Sequence, residues 1–460
     1  MKRKIFIIVS IILYSMTLYS QENIISLTNE EKKEIIETIC NRLNRFYVFP
    51  DIATKMEIHI KAKQNAGTFE KIDDPIEFAN SITQELRTVC NDKHLSLFFG
   101  NNPDMQTREN KDLKRILDKV NRENQNYGLN SVEVLPGNVG YMNIKTLMFY
   151  EETKEIISAA MKFLSNTNAI IFDIRDNMGG DTKYMTYLFS YFFDKPTHIN
   201  SIYWRDREKT IEYWTEKNIP GKKMTDIPLY VLINKNTFSG AEEFAYDLQA
   251  FKRATIIGEV SAGGANPASS FVVYKDLRIS IPLGRAINPV TSTNWEGVGV
   301  KPDIEVQPDS ALTIAIKLAR DTALKYYEIK KNRIIANYNE FLTDITEAEK
   351  LTEGGFSKET DSLVNLALSK ALINNLFTQA QINQMGYDYL GQEKFGFAIT
   401  ILKFNVSAFP ESANAYDSLG EAYMLAGKKE LAIENYEKSL KLNPGNKNAV
   451  ESLNKLKEKN

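Results

Sequence analysis

Between Val139 and Gly258, short apolar runs alternate with helix-length amphipathic stretches, and this alternation restricts the fold more than any other feature of the chain. Val139–Ile144, Ala169–Ile174, Pro228–Ile233 and Ala254–Gly258 read as strands; Tyr150–Leu164, Thr182–Phe193 and Ser239–Phe251 read as helices. Strands separated by helices of that length imply βαβ units and a largely parallel sheet. In such a sheet the ligand site lies beyond the carboxyl ends of the strands. Two turns stand there, Asp173-Ile174-Arg175-Asp176-Asn177-Met178-Gly179-Gly180 and Asn234-Lys235-Asn236-Thr237-Phe238-Ser239-Gly240.

The flanks differ from this centre. Residues 27–65 and 76–90 have helical periodicity, broken at Phe49-Pro50-Asp51, and lead into a short strand at Asp92–Leu97. Residues 270–306 read as β-hairpins closing the domain. Beyond Pro308 the chain is helical, charged and irregular over 309–375, with a Gly354-Gly355 break. Gly386/Gly420, Tyr389/Tyr423, Ala398/Ala432 and Pro410/Pro444 then recur 34 residues apart, a pattern that resembles the tetratricopeptide repeat, and 447–457 fits a capping helix. The expected class is α/β: a helical N-terminal subdomain (21–100), a core with a largely parallel sheet (101–315), a helical linker (316–375) and an all-α repeat module (376–460) that offers a protein partner a surface.

Composition narrows the function. Lys and Arg number 57 against 59 Asp and Glu, so no basic excess points to nucleic acid. Met1-Lys2-Arg3-Lys4 followed by the apolar run Ile5–Tyr19 reads as a secretory signal over residues 1–20, short for a membrane span, with an uncleaved N-terminal anchor as the alternative. The expectation is an exported chain, periplasmic or secreted, with no stable span after cleavage. Two cysteines exclude a disulfide-dense scaffold; export would allow Cys40 and Cys90 to pair, but both stand in helical patterns and read rather as small buried apolar residues. Three histidines leave little material for a histidine metal site, and no cofactor is expected.

Ser239 lies at a strand-to-helix turn, beside the unpaired N–H groups of a helix start that can stabilise an oxyanion. Ser239-x-x-Glu242 is equally a capping box. Gly179 and Gly180 let backbone approach a ligand closely, while Asp173 and Arg175 can simply pair. Of the histidines, His94 is held between a helix and a strand, whereas His59 and His198 read as surface or packing residues.

Taken together, Asp92-Lys93-His94-Leu95, Asp173-x-Arg175-x-Asn177-x-Gly179-Gly180, Thr237–Ala245, Gly258-Glu259-x3-Gly263-Gly264 and Trp295-Glu296-Gly297-Val298-Gly299-Val300-x-Pro302-Asp303 resemble, in order, the tail-specific (C-terminal processing), tricorn core and interphotoreceptor retinoid-binding protein group of serine peptidases. The resemblance spans about residues 24–320 and implies a hydrolase of peptide or protein substrates. One branch of the family uses a Ser/Lys pair, and the place of that Lys is held here by Gly264. The tricorn-like branch uses Ser, His and Glu, which the resemblance assigns to Ser239, His94 and Glu296, the last 57 residues after the serine. Gly240 and the Gly179-Gly180 turn are the expected oxyanion donors. The stretch Gly100–Leu129 is too short for the PDZ domain that the processing branch carries. The competing readings are a non-catalytic binding protein for an apolar ligand, as in the retinoid-binding relatives, and a scaffold whose repeats are its working surface.

Overall fold

A computed structural model describes residues 26–100, 108–351 and 357–458; the leader at 1–20 lies outside the described residues. The central strands are β2 (Leu129–Leu135), β3 (Val139–Ile144), β4 (Ala169–Asp173), β7 (Leu229–Ile233), β8 (Ala254–Gly258) and β12 (Ile304–Glu305). They form one sheet in the order β12-β8-β7-β4-β3-β2, parallel throughout except for the β2–β3 edge pair. Side chains alternate across it, as a period of two requires. Ile170, Phe172, Leu229, Val231 and Ile233 join the core beneath α5 (Tyr150–Leu164), α6 (Thr182–Phe189) and α7 (Gly240–Ala250). Ala169, Ile171, Tyr230 and Leu232 face the other way, against Ala311, Ala315, Ala319 and Ala323 at the start of α8 (Pro308–Leu351). Alanine on every fourth residue keeps that face of the helix small, so it lies close on the sheet.

Three helices precede this sheet: α1 (Asn29–Phe46), α2 (Pro50–Asn65) and α3 (Pro75–Cys90). Their apolar faces share one core with a second sheet, in which β1 (Ser96–Phe99) pairs antiparallel with β10 (Leu277–Pro282), itself paired with β9 (Ala268–Tyr274). Cys40 and Cys90 are free; Cys40 is buried. A third sheet joins β5 (His198–Trp204), β6 (Lys209–Trp214) and β11 (Gly284–Ile287). The hairpin reading of 270–306 therefore needs correction. Only β9 and β10 form a hairpin; β11 leaves for β5, and β12 adds parallel to β8. Strand propensity is local, but pairing depends on edges supplied by distant segments. The remaining element, α4 (Arg108–Asn124), shows Leu113, Ile116, Leu117 and Val120 to solvent.

The chain divides into two compact units, 1–326 and 327–460. The chain beyond Pro308 is helical as expected, but regular where irregularity was expected: α8 runs unbroken for 44 residues. Its charged residues are good helix formers, and charge alone does not interrupt a helix. In the second unit α9 (Lys358–Ile373) is followed by the helix pairs α10 (Gln379–Gly391)/α11 (Phe395–Ala408) and α12 (Ala413–Leu425)/α13 (Lys429–Leu442), then α14 (Lys447–Glu458). The repeat has a packing cause. A Cβ on Gly386 would lie 2.6 Å from the Leu402 side chain, and one on Gly420 3.0 Å from Tyr436, so each pair crosses at a residue without one.

Phe341, Ile345 and Ala348 of α8 are buried in one cluster with Val364, Leu368, Ile382 and Phe397. A fragment of 327–460 should therefore melt cooperatively by circular dichroism, and one of 357–460 should melt well below it. Losing a buried Phe and Ile removes contacts that cost several kcal/mol in other cores. Equal melting temperatures would show that α8 adds nothing to this module.

Candidate active site

The two turns singled out in the sequence follow adjacent strands, β4 and β7, and meet backbone to backbone. A Cβ on Gly179 would fall 2.6 Å from the Gly240 nitrogen, and one on Gly240 2.8 Å from the Gly180 nitrogen. Only glycine permits that approach. The buried Asn177 side chain ties the first turn down: its Nδ2 donates to Ile144 O, and its Oδ1 accepts the Gly179 N–H at 2.8 Å. The Gly179 amide is thus already taken, which corrects its place among the expected oxyanion donors. Gly180 and Gly240 donate to no acceptor among the described residues. Asp173 and Arg175 form a bidentate pair, and Arg175 also donates to Pro308 O, so these two brace the strand end.

Ser239 sits in a conformation that non-glycine residues rarely adopt, with φ 55° and ψ −124°. Such strain costs on the order of 1–3 kcal/mol and persists only where the surroundings impose it. The restraint is Glu242, fully buried one turn into α7. Its carboxylate accepts from the Ser239 N–H at 2.9 Å, from the Gly263 and Gly264 N–H groups and from Ser261 Oγ. The capping pattern read from the sequence is therefore also a clamp joining the Ser239 turn to the 261–264 loop. Burial nevertheless raises the Glu242 pKa, against the lowering effect of these bonds.

His94 arrives from 145 residues away, and its Nε2 lies 3.0 Å from Ser239 Oγ. Its loop is held by backbone contacts. Asn91 ends α3 in the left-handed region, and the buried Asp92 accepts the His94 N–H. Arg87 donates to the carbonyls of Lys93 and Leu95. Lys93 bonds the Ala262 carbonyl and so ties the His94 loop to the 261–264 loop. The imidazole rests on the Phe238 ring at 4.5 Å between centroids. Burial, and secondarily the Arg87 charge, lowers the His94 pKa to about 4. The other histidines are engaged elsewhere, His59 with Glu85 and His198 with Ser201.

Glu296 stands near the imidazole, a carboxylate oxygen within 4.8 Å of a ring nitrogen. Its Oε2 accepts from the Ala265 and Asn266 N–H groups at 2.6 and 3.1 Å. Its Oε1 and His94 Nδ1 are both shielded from solvent without a hydrogen-bond partner, so no direct bond links Glu296 to His94. Burial first, then the negative charge of Asp92, raises the Glu296 pKa. One carboxylate oxygen from each of Asp92 and Glu296 and a His94 ring nitrogen lie within 4.8 Å of one another, and Asp92 also accepts from Asn266 and Tyr47. Sequence reasoning passed over Asp92, although its place two residues before His94 was a usable signal. A Cβ on Gly264, to which the resemblance assigns the place of the Ser/Lys branch's lysine, would lie 2.2 Å from Phe238 and 3.0 Å from His94 Cε1. The imidazole and a lysine stem compete for this volume.

Comparison with known proteins matches residues 138–306 to Peptidase family S41, residues 15–129 to the N-terminal domain of Peptidase S41 in eukaryotic IRBP, and residues 413–446 to the tetratricopeptide repeat. Carboxyl-terminal-processing peptidase 2, chloroplastic, of Arabidopsis thaliana is 28% identical over 175 residues, 36% of this chain and 31% of that protein. The carboxyl-terminal-processing protease of Picosynechococcus sp. is 24% identical over 220 residues, 48% of each. The chain thus spans less than half the length of these two relatives. The tricorn protease structure aligns with a TM-score of 0.41 at 12% identity, over 65% of this chain and 37% of that one. No helix among the described residues is long and apolar enough to cross a membrane. The chain thus carries a Peptidase family S41 segment over residues 138–306, a stretch similar to the N-terminal domain of Peptidase S41 in eukaryotic IRBP before it and a tetratricopeptide repeat after it.

Proposed function

We propose that the chain is an exported serine peptidase acting on peptide or protein substrates, with Ser239 as nucleophile, His94 as base and Glu296 as the third member. The observation that carries this reading is the 3.0 Å approach of Ser239 Oγ to His94 Nε2 beside two unengaged amides. Ser239 Oγ attacks the substrate carbonyl while His94 takes its proton, then returns it to the leaving amine. The negative charge on the attacked oxygen meets the Gly240 and Gly180 N–H groups at the positive end of α7. Glu296 faces the imidazolium as it forms and steadies its charge. The basic and apolar residues 2–19 support export, and the repeats support a protein partner.

The test is labelling with a fluorophosphonate, located by mass spectrometry and followed against pH. The adduct is expected on Ser239. Because the neutral imidazole is the base, the labelling rate should rise as pH increases through about 4 and stay flat above, rather than rising near 6.5 as for an exposed histidine. A protein that takes no label on Ser239 at any pH is a binding protein or a scaffold on this fold.

A further inference from the structure

We propose that Asp92, His94 and Glu296 form an inhibitory binding site for a divalent transition-metal ion of the Zn2+ class. The three residues offer an imidazole nitrogen and two carboxylate oxygens within 4.8 Å of one another. These are the ligand types zinc takes, at about 2.0–2.2 Å, and the group reaches that distance by drawing together around the ion. Geometry also names the atoms. His94 Nε2 is turned to Ser239, which leaves Nδ1 for the metal, and Nδ1 and Glu296 Oε1 are the two shielded atoms without partners. Asp92 Oδ1 accepts only the His94 N–H and keeps a second lone pair, while Asn266 and Tyr47 orient the carboxylate through Oδ2. Outer partners of this kind fix ligand orientation in metal sites.

Inhibition follows from the tautomer and rests on the reading of His94 as base. A neutral imidazole bound to metal through Nδ1 carries its proton on Nε2. Nε2 then donates to Ser239 Oγ and has no lone pair with which to accept its proton. The metal leaves Ser239 and the two glycine amides in place but removes the base.

Binding is measured separately from activity, on the full chain carrying Ser239→Ala, stripped with a chelator and titrated with ZnCl2 by calorimetry. One equivalent is expected to bind. Glu296→Gln, added to this chain, should weaken that event by about tenfold or more, the scale on which even outer partners of a metal site act. Co2+ in the same site should give visible absorption bands that disappear with Glu296→Gln. Asp92→Asn carries the same test should Glu296→Gln fail to fold. Absence of a stoichiometric event, or one that neither substitution weakens, overturns the site. The peptidase reading fails on a different result, the absence of a fluorophosphonate adduct on Ser239. In protein that does label, Zn2+ should block labelling and a chelator restore it; labelling unaffected by bound metal would overturn the inhibition.

Discussion

Ser239→Ala will lower kcat for peptide hydrolysis by roughly 10^6-fold, and His94→Ala by a similar factor, since members of a nucleophile–base unit lose nearly everything when either is removed. The double variant should be no worse than either single one. The residual rate, about 10^3- to 10^4-fold above the reaction in water, reflects the oxyanion donors and substrate binding that both substitutions leave intact. Glu296→Gln should cost less, at most about 10^4-fold, because in the resting geometry its carboxylate is bonded to the Ala265 and Asn266 amides and not to the imidazole. The measurement is steady-state kinetics on a fluorogenic peptide, with circular dichroism to show that each variant is folded. Full turnover in Ser239→Ala would remove the nucleophile. Retained turnover in His94→Ala alone would leave the nucleophile and reject the base.

The second large effect comes from a residue with no side chain. Gly264→Ala should reduce kcat about 100-fold with little change in KM. The new Cβ would meet Phe238 at 2.2 Å and His94 Cε1 at 3.0 Å. One of the two rings must move, and they pack together at 4.5 Å between centroids, so displacing either shifts Nε2 from Ser239. Misplacing a catalytic group by about 1 Å costs on the order of 10^2-fold in rate. Adding Phe238→Ala removes the shorter contact and should recover part of the loss. Gly264→Lys, which supplies the residue type of the Ser/Lys branch, should be no better than Gly264→Ala, because its stem enters the volume His94 occupies. Wild-type kcat in Gly264→Ala would mean that the imidazole has room to spare.

Much of the sheet was legible along the chain because its signals are local. Ala169–Asp173 and Leu229–Ile233 are buried on both faces and read as continuous apolar runs; the turns after them carry Gly179, Gly180, Ser239 and Gly240, whose types state what the backbone must do there. The 34-residue repeat was legible for the same reason, since each helix pair makes the same crossing at its glycine. Helix beyond Pro308 was legible too, but not its single unbroken run to Leu351 on the sheet, because the alanine at every fourth residue gains meaning only once a sheet face is there to receive it.

The sequence by itself determined which residue types stand at the strand ends, and that a serine, a single well-placed histidine and a glutamate were available to one another. Tertiary structure alone decided how they meet. The pairing of β1 with β10 brings His94 across 145 residues to Ser239. The bond from Gly179 to Asn177 leaves Gly180 as the donor of its turn. The fold also gathers one carboxylate oxygen each from Asp92 and Glu296 within 4.8 Å of a His94 ring nitrogen. Residue identity and spacing are properties of the chain, whereas distance between remote side chains is set by packing, which depends on every segment at once.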